Sequence, residues 1–154
     1  MEKILYRKML SQQQRLTVLS ILIITPIGFM SKFYSGPGYY WVNNSLGGVF
    51  YEIFWCLVFL FILPKARPAI IASIVFIVTC ILEFMQLWHP PFLEYLRQFF
   101  IGRTILGTSF TWWDFPYYVV GSAIGWLWME GILRSGTKVT IREKQDTFKN
   151  VKDE

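Results

Sequence analysis

The sequence predicts an all-α membrane protein with four transmembrane helices and an interfacial or re-entrant amphipathic helix between the third and the fourth. Three observations lead to this fold class. Hydrophobic residues make up 54% of the 154-residue chain and its mean hydropathy is +0.40, which is too apolar for a soluble domain of this size. Charged residues make up only 16%, and they lie mainly at the two ends and in the loops. The uncharged stretches between them are long enough to cross hydrocarbon.

Prolines and short polar turns separate the first three predicted spans, which cover residues 16–33, 47–63 and 69–88. Pro26 lies inside the first span, where a kink is tolerated in lipid. No small-residue cleavage site follows this span, so we predict a retained helix rather than a signal peptide. Pro64 ends the second span, and the turn 65–68 is so short that the third helix must return antiparallel.

The region after the third span differs from it in charge. His89-Pro90-Pro91 ends the third helix, and 92–107 carries Glu and Arg among Phe, Leu and Ile. This segment is too short and too charged to span, so we predict an interfacial or re-entrant helix. Asp114 occupies the N-cap position of a fourth span, 115–133. The chain is thus divided into one transmembrane domain, 1–134, and a polar cytoplasmic tail, 135–154, that is disordered or weakly helical.

The distribution of basic residues predicts the orientation of the helices. With both termini in the cytoplasm, twelve of the fifteen lysines and arginines lie on the cytoplasmic side. Only Lys32, Arg97 and Arg103 fall on the other side, in agreement with the positive-inside rule. Because the basic residues flank apolar segments, the net charge of +5 indicates contact with membrane lipids rather than with nucleic acid.

This orientation places a set of polar side chains at one depth, near the extracytoplasmic ends of the helices. The set at this depth consists of Glu52, Glu83, Gln86 and Asp114; Arg103, with His89 as a further candidate, belongs to the amphipathic segment that would lie over them and completes the polar cluster. An ionised side chain within hydrocarbon costs at least ~2.5 kcal/mol, so these groups should face one another or a wet cavity. Glu83 and Gln86 share one helix face, where we expect them to hold the Arg103 guanidinium. The carboxylates outnumber the arginine, so either one is protonated or a cation, His89 or a ligand head group supplies the missing charge.

Each member of this set also has a structural interpretation. Asp114 alone is typical of a helix N-cap, and Glu83 with Gln86 is compatible with a clamp between the third helix and the Arg103 segment. Glu52 is close enough to the interface to snorkel. His89 before two prolines is typical of a solvated loop residue.

Other features of the apolar stretches predict packing rather than chemistry. Gly121-x-x-x-Gly125 is typical of helices that approach closely. Cys56 and Cys80 lie in apolar segments and are expected to be buried small hydrophobes. The sequence has no metal motif, phosphate loop or nucleophile elbow, so no metal and no cofactor are predicted.

Four short motifs stand in order in the second half of the chain: Glu83-Phe84-Met85-Gln86-Leu87, Gly102-Arg103 with Leu106-Gly107, Phe110-x-Trp112-x-Asp114 and Gly121-x-x-x-Gly125. Together they resemble a bacterial membrane family catalogued as domain of unknown function 2809, over about residues 15–134. That family is similar to the VanZ-like group, whose pattern is Glu-x-x-Gln, a later Arg, a later Asp and a glycine-rich helix. The family usually carries Asp where this chain has Gly48, and Glu52, one helical turn on, is a candidate replacement.

The resemblance implies a protein of the bacterial inner membrane, in a group linked to low-level resistance to lipid-anchored glycopeptides such as teicoplanin. We expect a polar pocket that binds an amphiphilic envelope lipid or lipid-linked head group. In it Arg103 would meet an anionic group, while Glu83, Gln86 and Asp114 orient Arg103 and accept hydrogen bonds from hydroxyls or amines. One alternative is a small accessory subunit of a larger membrane protein complex. Another is a membrane-embedded lipid-modifying enzyme with Glu83 or Asp114 as general acid or base, which the lack of a nucleophile or metal motif disfavours.

Overall fold

The computed structural model describes residues 2–107 and 109–152, and this part of the chain contains helices and turns but no β-strand. The helices are, in chain order, α1 (Glu2–Ser31), α2 (Tyr39–Trp41), α3 (Gly47–Ile62), α4 (Pro68–Met85), α5 (Pro91–Arg97), α6 (Phe100–Leu106) and α7 (Asp114–Lys152). A short π-helix, Val42–Leu46, joins α2 to α3 without a break. The predicted all-α class is therefore confirmed for the described residues.

Proline and glycine set most of the helix boundaries. Pro64 lies just beyond α3, whereas Pro68 and Pro91 open α4 and α5, where a missing N–H costs no intrahelical hydrogen bond. Gly107 ends α6 with a φ of 68°, a left-handed conformation that favours glycine. Pro26 stays inside α1, as predicted.

The four long helices form a bundle in which α3 and α7 occupy the centre, since α1 and α4 each pack against both of them. The buried core includes Ile53, Leu57, Leu60, Ile71, Val75 and Met129. A Cβ atom added at Gly121 would lie 2.7 Å from Glu52 Cβ and 2.8 Å from the Val49 carbonyl oxygen. A Cβ atom added at Gly125 would lie 3.0 Å from Cys56 Cβ. The predicted close packing at the two glycines is confirmed.

Two helices are long and apolar enough to cross a membrane, judged by length and composition: Met9–Ser31 within α1, and α4. They indicate that the protein associates with membranes. The shorter apolar helix α3, with 16 residues, extends only about 24 Å, less than the ~30 Å of a hydrocarbon core. Glycine, tyrosine, tryptophan and Glu130 interrupt the apolar part of α7. Among the described residues, two of the four predicted spans thus meet the length and hydropathy expected of a span.

The outward faces of the two apolar helices carry large exposed hydrophobic side chains. On α1 they include Leu19, Leu22, Ile23 and Met30, and on α4 they include Ile70, Ile74, Ile77 and Ile81, each more than half exposed. Soluble monomers rarely expose contiguous apolar patches of this kind. The faces therefore fit a lipid or protein environment better than water.

Several boundaries differ from those predicted. α4 ends at Met85 rather than at residue 88, because residues 86–88 turn away from the helix ahead of the two prolines. The amphipathic segment forms two short helices, since a Cβ atom at Gly102 would overlap the Leu96 carbonyl and only glycine permits this tight crossing of α5 and α6. α7 runs through the predicted boundary at residue 134 to Lys152. Residues 1 and 108 of the predicted transmembrane domain, and residues 153 and 154 of the predicted tail, lie outside the described part of the chain.

Candidate functional site

Glu83 lies near the end of α4 and is only 1% exposed. Its Oε1 accepts a hydrogen bond from the Thr111 backbone N–H at 2.9 Å. Its Oε2 accepts from the Tyr118 hydroxyl at 2.7 Å and from Gln86 Nε2 at 2.9 Å. Donors to both oxygens offset much of the cost of burying this carboxyl group. We call Glu83, Gln86, Thr111 and Tyr118 the Glu83 network.

The Glu83 network fastens three parts of the chain together: α4, the loop before α7, and α7 itself. Gly107 closes over it, since a Cβ atom there would overlap the Gln86 amide. Gln86 Oε1 is buried and accepts no hydrogen bond from the described residues. The network therefore holds these three parts together at the end of the bundle that carries α5 and α6. We call this end the α5–α6 end.

Arg103 lies on α6 and does not join this network. Its side chain is exposed and forms no hydrogen bond or ion pair with any described residue. The expected Arg103–Glu83 contact is thus absent from residues 2–107 and 109–152. The physical reason is that Tyr118, Thr111 and Gln86 already supply donors to both Glu83 oxygens.

Asp114 is the first residue of α7 and is partly buried. Its backbone N–H donates to the Thr111 carbonyl at 3.1 Å. An acidic side chain in the first turn interacts favourably with the positive end of the helix dipole. The structure thus places Asp114 next to the Glu83 network, with Thr111 between them.

Glu52 lies apart from the Glu83 network, in the interface between α3 and α7. It is 0% exposed, so it does not snorkel towards an interface. Its Oε2 accepts from the Ser122 hydroxyl at 2.7 Å, whereas Oε1 has no hydrogen-bond partner among the described residues. Of the five residues in the predicted cluster, the structure brings Glu83 and Gln86 into direct contact, with Asp114 nearby.

Arg97 is buried, which the sequence did not predict. Only 6% of it is exposed, and it donates to the carbonyls of Met85 at 3.0 Å and Trp88 at 3.3 Å. The Met85 carbonyl lies at the end of α4, where the helix dipole favours positive charge, and the Trp88 carbonyl lies in the turn that follows. A basic residue in the helix that follows a proline stop was the signal for such a cap.

Arg97 also belongs to a small polar group on the surface of α5. It donates to Glu94 Oε1 at 2.6 Å, and His89 Nδ1 lies 2.8 Å from the same oxygen. The hydrogen bond to His89, and next the one from Arg97, hold the pKa of the Glu94 carboxyl below its usual range. These three residues and Gln98 line an open depression of about 250 Å³. His89 is therefore an exposed, paired loop residue.

The described residues offer little for metal or nucleophilic chemistry. They contain no group of three His, Cys, Asp or Glu side chains placed to hold a metal ion. Cys56 is buried beside Gly125, and Cys80 is partly buried. Glu83 is enclosed by its own network, so a substrate cannot reach its oxygens in this conformation. In this conformation the Glu83 network holds helices together, and Arg103 is exposed.

Apolar helices with exposed hydrophobic faces, joined by buried carboxyl groups, are features of a helical protein that associates with membranes. A family model described as protein of unknown function (DUF2809) matches residues 38–122, more than half of the chain. The chain belongs to this family, as its motifs predicted. No solved structure matches the chain.

The matched segment is narrower than the predicted correspondence over about residues 15–134. It begins next to α2 and ends at Ser122 in α7, so it leaves out α1 and most of α7. It contains the Glu83 network, Arg103, and the contact between Glu52 and Ser122. The family pattern thus spans the residues discussed above, while α1 and the rest of α7 complete the bundle around them.

Proposed function

We propose that this chain is a multi-pass protein of the bacterial inner membrane that binds the anionic head group of an amphiphilic envelope molecule. Both termini would lie in the cytoplasm, and the head group would bind at the α5–α6 end. One observation carries the proposal: Arg103 is an exposed guanidinium without a partner among the described residues. An expected place in the VanZ-like group, with its link to lipid-anchored glycopeptides, accords with an envelope ligand.

The surface around Arg103 is apolar. α6 has no buried residue, and Phe99, Phe100 and Ile101 are 52%, 65% and 70% exposed. In the following loop Trp112 is 69% exposed. Aromatic side chains of this kind concentrate at membrane–water interfaces, where an arginine reaches the lipid phosphates. An amphiphile would fit both parts of this surface. Its acyl chains would pack on the aromatic rings, and its anionic head group would pair with the Arg103 guanidinium.

The Glu83 network would serve this site by holding α6 in place rather than by touching the head group. Gly107 packs on Gln86, and the Tyr51 hydroxyl donates to the Ile105 carbonyl at 3.3 Å. Both contacts tie the end of α6 to the bundle. Changes at Glu83 are therefore expected to weaken binding through the position of Arg103.

The Glu83 carboxyl group is enclosed, and this favours a binding function over lipid-modifying catalysis. A general acid or base must come within hydrogen-bonding distance of the proton that it transfers. Glu83 already accepts three hydrogen bonds and is 1% exposed. Catalysis by Glu83 would require the loop at Thr111 to open first.

The test uses the purified full chain in detergent with phosphatidylglycerol as the anionic probe and phosphatidylcholine as the zwitterionic one. Native mass spectrometry counts the lipids retained on wild type, Arg103→Ala, Arg103→Lys and the control Arg67→Ala. Arg67 is likewise exposed but lies in the turn between α3 and α4, outside the proposed site. Hydrogen bonds to a charged group contribute about 1.5–3 kcal/mol, so Arg103→Ala should weaken phosphatidylglycerol binding about 10- to 100-fold.

The expected pattern is a loss confined to Arg103→Ala and to the anionic lipid, with partial retention in Arg103→Lys, which keeps the charge but not the planar fork. Equal retention by Arg103→Ala and Arg67→Ala would refute the proposal. A stoichiometric partner protein without retained lipid would instead favour the accessory-subunit alternative.

A further inference from the structure

The carboxyl group of Glu52 is buried between the two central helices and lacks a compensating charge. It is 0% exposed, and Ser122 is the donor to its Oε2 at 2.7 Å. Oε1 makes no hydrogen bond with any described residue. Transferring an ionised carboxylate from water into such a site is very unfavourable unless another group pairs with it.

The titratable groups around Glu52 cannot provide that pairing charge. The ones that interact with it electrostatically are Tyr51 and Cys56 on α3, Cys80 on α4, and Tyr118 on α7. None of these groups carries a positive charge, and Glu83, which also acts on Cys80 and Tyr118, is acidic. The ion pairs that Glu94 forms with His89 and Arg97, and that Glu130 forms with Arg134, lie elsewhere in the described part of the chain.

Two hydroxyl groups complete the surroundings of this carboxyl group. Thr79 on α4 lies within hydrogen-bonding reach of the Glu52 carboxyl group. Its hydroxyl donates to the Val75 carbonyl at 3.0 Å, and because its one proton cannot serve both acceptors, its oxygen is left able to coordinate a cation beside Glu52. Ser122 comes from α7 and Glu52 from α3. Three helices thus contribute a carboxylate and two hydroxyl oxygens, the oxygen ligands that hard cations prefer.

We propose that Glu52, Ser122 and Thr79 form a buried binding site for one monovalent cation, either a proton or a sodium ion. A single positive charge neutralises the carboxylate, whereas a divalent cation would leave an excess charge in the same interior. The bound cation would be coordinated by Oε1 of Glu52, which has no geometric partner among the described residues. Through its three ligands it would link α3, α4 and α7. Ionisable groups inside membrane proteins commonly mark ion or proton sites. This site is separate from Arg103 and does not depend on lipid binding.

The test measures the thermal unfolding midpoint of the full chain in detergent at constant ionic strength, with sodium replaced stepwise by choline, over a range of pH. Wild type is compared with Glu52→Gln, Ser122→Ala and the control Glu130→Gln, which removes a carboxylate about two helical turns beyond Ser122 in α7. If sodium binds, each tenfold increase above its Kd should raise the midpoint by about 3–5 °C. This increase should vanish in Glu52→Gln and persist in Glu130→Gln.

The two cations give different results. A sodium-dependent midpoint that Ser122→Ala weakens identifies sodium, whereas a sodium-independent midpoint that falls with rising pH only when Glu52 is present identifies a proton. A wild-type midpoint that responds to neither cation in a Glu52-dependent way overturns the proposal. Infrared difference spectra of wild type on sodium or pH exchange provide a second readout, because the carboxyl band of Glu52 should shift even if Glu52→Gln does not fold.

Discussion

Gly121 in α7 lies directly against α3, and replacing it with alanine should push the two central helices apart. The added Cβ would lie 2.7 Å from Glu52 Cβ and 2.8 Å from the Val49 carbonyl oxygen. Two of its three nearest atoms belong to the α3 backbone, so a side-chain rotation cannot relieve the clash. To restore ordinary contact distances the helices must separate by about 0.7 Å, and the packed interior resists such a shift.

The separation has an energetic cost that can be estimated. Inserting one methyl group into a packed interior costs about 1–3 kcal/mol. Alanine recovers about 0.5–1 kcal/mol of this through its better helix propensity. The hydrogen bond from Ser122 to Glu52, now 2.7 Å long, would lengthen as well. We expect Gly121→Ala to lower the free energy of unfolding by about 1–2 kcal/mol.

Gly131 provides a matched control within the same helix. A Cβ atom added there meets nothing within 4 Å, so Gly131→Ala should be neutral or stabilising by up to about 1 kcal/mol. Both variants can be compared by titrating the protein in mixed micelles with sodium dodecyl sulfate and following helix content by circular dichroism. If Gly121→Ala proves as stable as Gly131→Ala, the close approach of α3 and α7 described above is wrong.

Two further predictions concern the α5–α6 end. Tyr118→Phe removes a donor to Glu83 at 2.7 Å and should destabilise the fold by about 1–3 kcal/mol, with faster amide exchange at Thr111; unchanged exchange there would show that this hydroxyl does not hold the loop. Because His89 and Arg97 lower the pKa of Glu94, their stabilisation of α5 is present above the ordinary glutamate pKa and is lost as pH falls through the lowered value. Amide exchange in α5 should therefore increase at acidic pH in wild type more than in Glu94→Gln, and equal pH profiles would contradict the assignment.

The two buried carboxyl groups, Glu83 and Glu52, differ in how fully the protein supplies them with hydrogen-bond donors. The Glu83 network satisfies its carboxyl group with donors from the protein itself, so it contributes rigidity at the α5–α6 end. Glu52 accepts a hydrogen bond from Ser122 on one oxygen, while its other oxygen has no geometric partner among the described residues, and the proposed cation would bind there. Arg103 is a third polar group, apart from both carboxyl groups. Its side chain is exposed and its guanidinium N–H groups donate no hydrogen bond to the described residues. We therefore expect changes at Glu52 and at Arg103 to have separate effects.

The glycine and proline pattern made much of the fold predictable. Pro64, Pro68 and Pro91 act locally through the backbone, and the helix boundaries beside them fall where the sequence predicts. Gly121 and Gly125 were likewise expected to pack, because a missing side chain has the same consequence wherever a helix meets a neighbour. The family membership was predicted from the order of a few polar residues along the chain. That order can be recognised without knowing which groups these residues contact.

The partners of the polar residues depended on the tertiary structure. The sequence placed Glu52 and Glu83 at one depth with the Arg103 segment over them, but depth does not determine which groups face each other. Glu83 took a tyrosine hydroxyl and a backbone N–H as donors, and neither has a sequence signature. The buried arginine was Arg97 rather than Arg103, because Arg97 of α5 packs on the end of α4, whereas α6, which crosses α5 closely at Gly102, has no buried residue.

Composition and local backbone chemistry by themselves determined that this protein is helical, apolar and interrupted at defined prolines and glycines. These properties depend on each residue and its near neighbours along the chain, so they can be read without coordinates. Which carboxyl group is satisfied, which arginine is free and where Oε1 of Glu52 lacks a partner were decided only by the packing of α3, α4 and α7. Hydrogen-bond partners are chosen by distance and direction across helices, and a linear sequence does not contain those quantities.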